Sequence, residues 1–199
     1  MKILITGGGF LGAWIAQKLV QGEHCVRVFS RSPSRPIWRA IVGKEVTSIN
    51  WRCGDIRNGE EVIAAAENCD AIIHLAALLS DECRQEPVGG AQVNVLGTLN
   101  VFLAARENRI SKLLYASSGG VFDNTNLRFP YPTTLYGTYK LANEGTARAF
   151  YADYRISSIG FRPFVIYGPG RETGITASPT LACRAAAEGK AYTIPIQAN

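Results

Sequence analysis

The chain has 199 residues, of which 47% are hydrophobic and 19% charged, as in a soluble globular protein with one domain's worth of core. No uninterrupted apolar stretch approaches the roughly 18 residues that cross a bilayer, and the N-terminus lacks a secretory layout, so we expect no membrane association. The net charge of +5 comes from scattered lysines and arginines rather than a basic stripe interleaved with aromatics, which argues against nucleic-acid binding.

The cysteines are odd in number and show no C-x-x-C spacing. We therefore expect reduced thiols in a cytoplasmic protein, most of them filling small apolar spaces, and no metal or redox site. They are Cys25, Cys53, Cys69, Cys83 and Cys183.

The first predicted element is a short apolar strand, residues 2–6, which enters a glycine turn and continues into an amphipathic helix. In this order Gly7 suits a tight turn, Gly9 lets a phosphate approach, and Gly12 lets the helix pack on the strand. The start of the helix would face the charge of a pyrophosphate. The pattern predicts dinucleotide binding, with a purely structural strand–helix turn as the alternative. The predicted contacts are Gly7, Gly9, Phe10, Leu11 and Gly12.

Further strand-like runs alternate with helical patterns along the chain. This alternation implies parallel strands joined by right-handed crossovers, hence an α/β doubly wound sheet, the Rossmann fold. The strand-like runs are 26–29, 46–51, 71–75, 112–117 and 158–161, and the helical patterns are 59–68, 88–108 and 136–154.

The second strand ends without the acid that usually binds the ribose 2′-hydroxyl of NAD. Ser30, Arg31 and Arg35 offer a hydroxyl and guanidinium groups, which would accept a 2′-phosphate. We therefore expect NADP rather than NAD, with a solvated basic loop as the alternative. After the third strand, Asp55, followed by Ile56, either accepts from the adenine amino group or caps a turn or helix.

A tyrosine and a lysine carry the candidate chemistry. Tyr136 and Lys140 lie four residues apart on a predicted helix, which puts both on one face close to the predicted cofactor. A cation beside a phenol favours the phenolate. That form can exchange a proton with a substrate hydroxyl while hydride moves to or from a nicotinamide.

Hydroxyl and amide side chains nearby are further candidates. Ser117 and Ser118 end the fifth strand, where a hydroxyl could orient a substrate oxygen or belong to a turn. Asn94, in the long helix, could hold water or a backbone carbonyl behind the lysine, or belong to surface or packing. His74 lies within the fourth strand, and we interpret it as a packed residue rather than a base.

Together these motifs resemble the extended short-chain dehydrogenase/reductase family, also called the NAD-dependent epimerase/dehydratase family. The resemblance implies that Tyr136 is the catalytic acid/base and that Lys140 binds the nicotinamide ribose and tunes it. It makes Ser118 the catalytic hydroxyl, gives Asn94 a supporting role, and places Pro163 beside the nicotinamide. The matching segments are 6–12, 74–77, 94–100, 117–122, 136–140 and 162–170.

The resemblance also implies cofactor contacts at the end of the fourth strand, at Leu75, Ala76 and Ala77. It further implies a homodimer through the helices that start near Val88 and Tyr136.

The chain departs from the family pattern in three ways. Its glycine motif is one residue shorter, the acid after the second strand is absent, and family members continue for about another hundred residues. We therefore expect residues 1–170 to form an NAD(P)-binding domain and residues 171–199 to begin a truncated substrate-binding region. Either the chain is a fragment, or its substrate site is open and completed by a partner.

Three functions follow from these observations. The leading hypothesis is a nucleotide-sugar epimerase or dehydratase, which oxidises a sugar hydroxyl transiently, because residues 162–170 resemble the sugar-modifying branch. A net dehydrogenase or reductase of an alcohol or amino acid is the first alternative, because residues 74–80 and 134–137 look like threonine dehydrogenases of the family. A non-catalytic dinucleotide sensor is the second alternative, although such proteins typically lack the tyrosine–lysine pair.

Overall fold

The computed structural model describes residues 1–32, 36–123, 125, 127–172 and 174–194. The chain divides into two compact units, Met1–Phe164 and Val165–Asn199. The boundary between cofactor domain and substrate region, expected at residue 170, stays a prediction.

Six parallel strands form one sheet in the order β3-β2-β1-β4-β5-β6, which confirms the predicted doubly wound architecture. In this order the sheet grows in one direction from β1 and in the other from β4. Ligands of such sheets bind where the order reverses, at the carboxyl ends of the strands. The strands are β1 (Lys2–Thr6), β2 (Cys25–Ser30), β3 (Asn50–Cys53), β4 (Ala71–His74), β5 (Leu113–Ala116) and β6 (Ser158–Phe161).

Helices cover both faces of the sheet. Because successive strand residues point to opposite faces, Leu4 and Ile5 of β1 enter two different cores. Ile5 belongs to the core that contains Trp38 on one face, and Leu4 belongs to the core that contains Phe102 on the other. The helices of the first unit are α1 (Phe10–Gln21), α2 (Pro36–Val42), α3 (Gly59–Ala66), α4 (Ser80–Gln85), α5 (Pro87–Ala91), α6 (Gly97–Glu107) and α7 (Leu135–Tyr154). Helix α8 (Ser178–Ala187) belongs to the second unit.

The strand predicted over residues 46–51 is wrong in its first half. Gly43–Ser48 forms a 3₁₀ helix, and β3 begins only at Asn50. Two hydroxyls satisfy carbonyls three residues back, Thr47 that of Lys44 and Ser48 that of Glu45. Local bonds of this kind compete with strand pairing.

A π-helical turn, Gln92–Leu96, joins α5 to α6, so that one helical run continues from Pro87 to Glu107. By length and composition alone this run could cross a membrane, contrary to the expectation from uninterrupted apolar stretches. Half of its apolar window is buried inside the molecule, as in the core helix of a globular domain.

The second unit contains a 3₁₀ helix, Ile175–Ala177, and α8. Within it, the Gly168 N–H donates to the Thr180 hydroxyl. Arg184 forms an ion pair with Glu172 at 2.7 Å.

Candidate functional site

The glycine turn between β1 and α1 has the geometry of a close backbone approach. Gly7 has φ +99°, and a Cβ there would lie 2.7 Å from the backbone nitrogen of Ala76, so only glycine fits. Gly12 packs against the Gly7 carbonyl in the same way. Gly9 differs, because a Cβ built on it meets no heavy atom within 4 Å. The turn is therefore tight on its core side and open at Gly9.

Helix α1 starts directly after this turn, and Phe10 and Leu11 form its first residues. Gly9 is its N-cap, with no side chain capping the helix and no acid in the first turn. The first N–H groups of a helix have no partner within the helix, and its dipole favours an anion at this end. The start of α1 is thus suited to a phosphate.

A groove opens at the carboxyl ends of β1 to β4, the switch point of the sheet. Nine of the residues predicted to bind a cofactor line it together: Gly7, Gly9, Ser30, Arg31, Asp55, Ile56, Leu75, Ala76 and Ala77. Sequence reasoning missed Phe29, Leu78 and Val93, which also line it. Arg35 lies outside the described residues.

Asp55 lies at the rim of this groove but is engaged in its own turn. Its carboxylate accepts from the backbone N–H of Arg57 and from the Arg57 guanidinium, at 2.6–3.0 Å. These hydrogen bonds lower the pKa of Asp55, and the charge of Arg31 lowers it further. The turn interpretation has direct contacts, while the adenine contact stays a prediction.

Tyr136 and Lys140 lie together on the first turns of α7. The Lys140 ammonium is 5.6 Å from the centre of the Tyr136 ring, and Tyr136 is half-buried. Lys140 is only 2% exposed and donates to the Ala116 carbonyl at the end of β5, at 2.8 Å. Burial lowers the pKa of Lys140 to about 8. A cation is thus held against the phenol.

The loop after β5 brings Ser118 to the same place. A Cβ built on Gly120 would lie 3.3 Å from Ser118 Oγ and 3.7 Å from a ring carbon of Tyr136, so both side chains flank Gly120. The loop packs so tightly on α7 that a Cβ on Gly137 would overlap the Gly120 carbonyl. Ser118 Oγ accepts from the Gly120 N–H at 3.0 Å, a bond that leaves its hydroxyl proton available to a ligand.

Ser117 points into the core instead. It is 1% exposed, and its hydroxyl donates to Glu144 at 2.6 Å. Glu144 also accepts two bonds from Arg162, which lower the pKa of that carboxyl. This ion pair ties α7 to the segment after β6, and sequence reasoning missed it. Spacing alone would pair Glu144 with Lys140, four residues earlier on the helix.

The peptide after Arg162 meets the loop after β5. The Pro163 carbonyl accepts from the Gly119 N–H at 2.8 Å, and a Cβ on Gly119 would lie 2.8 Å from the Phe164 ring. Pro163 is thus hydrogen-bonded to Gly119, the residue that follows Ser118. Its place beside a nicotinamide stays a prediction. A separate hollow of about 850 Å³ lies beside Glu144 and Arg162, and none of the predicted site residues lines it.

Asn94 binds a backbone segment of the groove. Its carboxamide accepts from the N–H of Leu78 and donates to the carbonyl of Leu78, both at 2.9 Å. The amide also donates to Cys83 Sγ at 3.2 Å. Asn94 therefore holds a backbone carbonyl, that of Leu78 in the groove wall, whereas Lys140 donates to the carbonyl of Ala116. The supporting role of Asn94 in catalysis stays a prediction.

His74 is a buried link, which agrees with its interpretation as a packed residue. Nδ1 lies 2.6 Å from the Thr6 hydroxyl and Nε2 lies 3.0 Å from that of Thr98. Since Thr98 donates its single proton to the Asn94 carbonyl, it accepts from His74 Nε2–H, which assigns the tautomer. Burial lowers the pKa of His74 to about 3, so the ring stays neutral.

Comparison with known proteins agrees with this geometry. A 3-beta-hydroxysteroid dehydrogenase of Mycolicibacterium neoaurum is 30% identical over 190 residues, which are 86% of this chain and 49% of that protein. The UDP-N-acetylglucosamine 4-epimerase of Methanobrevibacter ruminantium shares the fold, with TM-score 0.82 and 22% identity over 95% of this chain and 63% of that chain. A UDP-glucose 4-epimerase of Thermus thermophilus, solved with NAD, has TM-score 0.77 and 25% identity over 96% and 64%.

The chain spans about half the length of the curated relatives it matches. The NAD-dependent epimerase/dehydratase family model matches residues 3–197, nearly the whole chain. The sheet order, the glycine turn and the Tyr136–Lys140 pair are all present within that match. The chain therefore belongs to the NAD-dependent epimerase/dehydratase family, the extended short-chain dehydrogenases/reductases.

Proposed function

We propose that the groove binds a nicotinamide dinucleotide, with NADP preferred over NAD. The open space at Gly9 and the uncapped start of α1 favour a diphosphate there. Ser30 and Arg31 line the groove at the end of β2, where a hydroxyl and a guanidinium would accept a 2′-phosphate. The Thermus relative was solved with NAD, which supports the dinucleotide class but not the preference.

We propose that Tyr136 exchanges a proton with a substrate hydroxyl. Lys140, held at 5.6 Å from its ring, favours the phenolate that accepts this proton. The Ser118 hydroxyl donates to the same substrate oxygen and orients it. A bound nicotinamide would accept the hydride that leaves the substrate carbon bearing this hydroxyl. The Tyr136–Lys140 contact is the observation that carries this proposal.

A nucleotide sugar is the substrate class that we propose first. Solved relatives that share this fold act, by name, on UDP-N-acetylglucosamine and UDP-glucose, and the segment 162–170 resembles the sugar-modifying branch. A net dehydrogenase is the second candidate, because the Mycolicibacterium relative is named a steroid dehydrogenase. A non-catalytic sensor would have no use for the buried lysine beside Tyr136.

We also propose a homodimer through α5–α6 and α7. Apolar side chains remain exposed there: Val88 is 71% exposed, and Leu96 and Leu135 are each 42% exposed. Burial of these side chains between two copies would remove them from water.

The first experiment separates the two enzymatic candidates. The chain is incubated with UDP-glucose and catalytic NADP⁺ or NAD⁺ and followed by NMR for its 4-epimer. Reduced cofactor is followed in parallel at its absorbance band, with simple alcohols and amino acids as substrates. Epimer formation without accumulation of reduced cofactor supports the sugar enzyme, whereas steady accumulation supports the dehydrogenase.

Whichever reaction is found, Tyr136→Phe should lower its rate by about 100-fold or more, with little change in cofactor affinity. Tyr139→Phe is the matched control: it removes a phenol three residues away, which donates to the Pro87 carbonyl. The control should keep its rate. If Tyr136→Phe is as active as wild type, the acid/base role is wrong.

A further inference from the structure

Trp38, on α2, is buried beside the glycine turn and hydrogen-bonded to it. Its side chain is 0% exposed, and its Nε1–H donates to the carbonyl oxygen of Gly8 at 2.9 Å. Its ring meets Trp51 edge-on, with ring centroids 4.7 Å apart, so the indole cannot turn away without disturbing the core. The Gly8 carbonyl is thereby held on the core side of the turn.

The direction of this carbonyl fixes the direction of the next N–H group. In a planar trans peptide the C=O of one residue and the N–H of the next point in opposite directions, and the described chain has no cis peptide bond. Since the Gly8 oxygen points to Trp38, the Gly9 N–H points away from it. Gly9 lines the groove and borders open space. The buried indole thus occupies one side of this peptide, and the N–H lies on the opposite side, at a residue that lines the groove.

We infer that Trp38 is a positioning residue for diphosphate binding, acting through the Gly8–Gly9 peptide. This inference rests on the proposed dinucleotide function. Three successive glycines, residues 7–9, form the turn, and glycine has little conformational preference of its own. A hydrogen bond from a buried indole supplies the orientation that such a turn lacks. The group recognised is the diphosphate, whichever nucleotide carries it.

Trp38→Phe tests this role because it keeps an aromatic ring and removes the N–H donor. The affinity for ADP, which has a diphosphate, should fall about tenfold, whereas the affinity for adenosine should not change. Trp51→Phe is the matched control, since it removes an indole N–H from the same aromatic pair, and no hydrogen bond from Trp51 to the turn is seen in the described residues. NMR titration of ¹⁵N-labelled protein measures both ligands.

Equal ADP affinity in wild type and folded Trp38→Phe would overturn the inference, as would a parallel loss of adenosine binding. If the variant does not fold, solvent exchange of the Trp38 Nε1–H in the wild type decides. Slow exchange is expected for a buried, bonded N–H, and fast exchange contradicts the inference. A folded wild type that binds neither ADP nor NADP⁺ would contradict the proposed function, and this inference with it.

Discussion

At the scale of single residues, Lys140 is a cation that the fold buries at a cost in stability. Burial lowers its pKa from 10.5 to about 8. Between these values the unfolded chain binds more protons than the folded one, so the free energy of unfolding rises with pH there. Below pH 8 the ammonium is charged in both the folded and the unfolded state, and its burial lowers the free energy of unfolding by the full amount.

Lys140→Met should remove this pH dependence. The free energy of unfolding of the variant minus that of wild type should be about 2 kcal/mol larger at pH 7 than at pH 9.5. Urea unfolding of both proteins at the two pH values measures the difference. Lys112→Met, at an exposed lysine, is the control and should show no such change. If the free energies of unfolding of wild type and variant differ by the same amount at both pH values, Lys140 is not a buried cation.

Residue types at the site could be predicted, but not their partners. The pairing of Tyr136 with Lys140 follows from helical periodicity, which is a local property. The bonds of Asn94 to Leu78 and of Ser117 to Glu144 join residues 16 and 27 positions apart. Such contacts depend on how the elements pack, and a single sequence does not display that.

At the scale of elements, the β1–α1 turn contains two glycines with different physical requirements. Gly7→Ala places a Cβ against Ala76 at positive φ, so it should destabilise the protein by about 2 kcal/mol or more. Gly9→Ala meets open space and should change stability by less than about 1 kcal/mol.

Gly9→Ala, which should change stability little, should nevertheless weaken cofactor binding. The Cβ of Gly9→Ala would occupy the space of an approaching phosphate, so its affinity for NADP⁺ should fall at least about tenfold although it stays folded. Urea unfolding and fluorescence titration of both variants provide the two quantities. An unchanged affinity of Gly9→Ala for NADP⁺ would contradict the binding of a phosphate at this turn.

The long helices α1 and α7, of 12 and 20 residues, were predictable because a helical pattern repeats along them, and β1 was predictable from its continuous apolar run. The 3₁₀ segment Gly43–Ser48 was not, since short runs of β-branched residues fit either structure and hydroxyl–carbonyl bonds decided the outcome. Helix α2 is seven residues long, and its sequence has no marked pattern. It nevertheless carries Trp38, which contacts the glycine turn.

At the scale of the whole molecule, the exposed apolar side chains on α5–α6 and α7 can be tested as a dimer surface. Leu96→Glu should convert the proposed dimer to monomer, because a buried carboxylate without a partner is unfavourable at an interface. Leu127→Glu introduces the same charge at another exposed leucine, 60% exposed, and should leave the assembly unchanged. Sedimentation velocity measures both, and a monomeric wild type would contradict the proposal.

The doubly wound sheet was predictable as a whole, because alternating strands and helices permit few topologies. The position of the groove follows from the sheet order. The preference between NADP and NAD does not follow from the fold. The proposed preference for NADP rests instead on the side chains at the end of β2, where Ser30 and Arg31 line the groove.

Calorimetric titration of the chain with NADP⁺ and with NAD⁺ tests the central claim most directly. We predict saturable one-to-one binding, tighter for NADP⁺ than for NAD⁺. A chain that shows a cooperative unfolding transition but binds neither dinucleotide would contradict the claim.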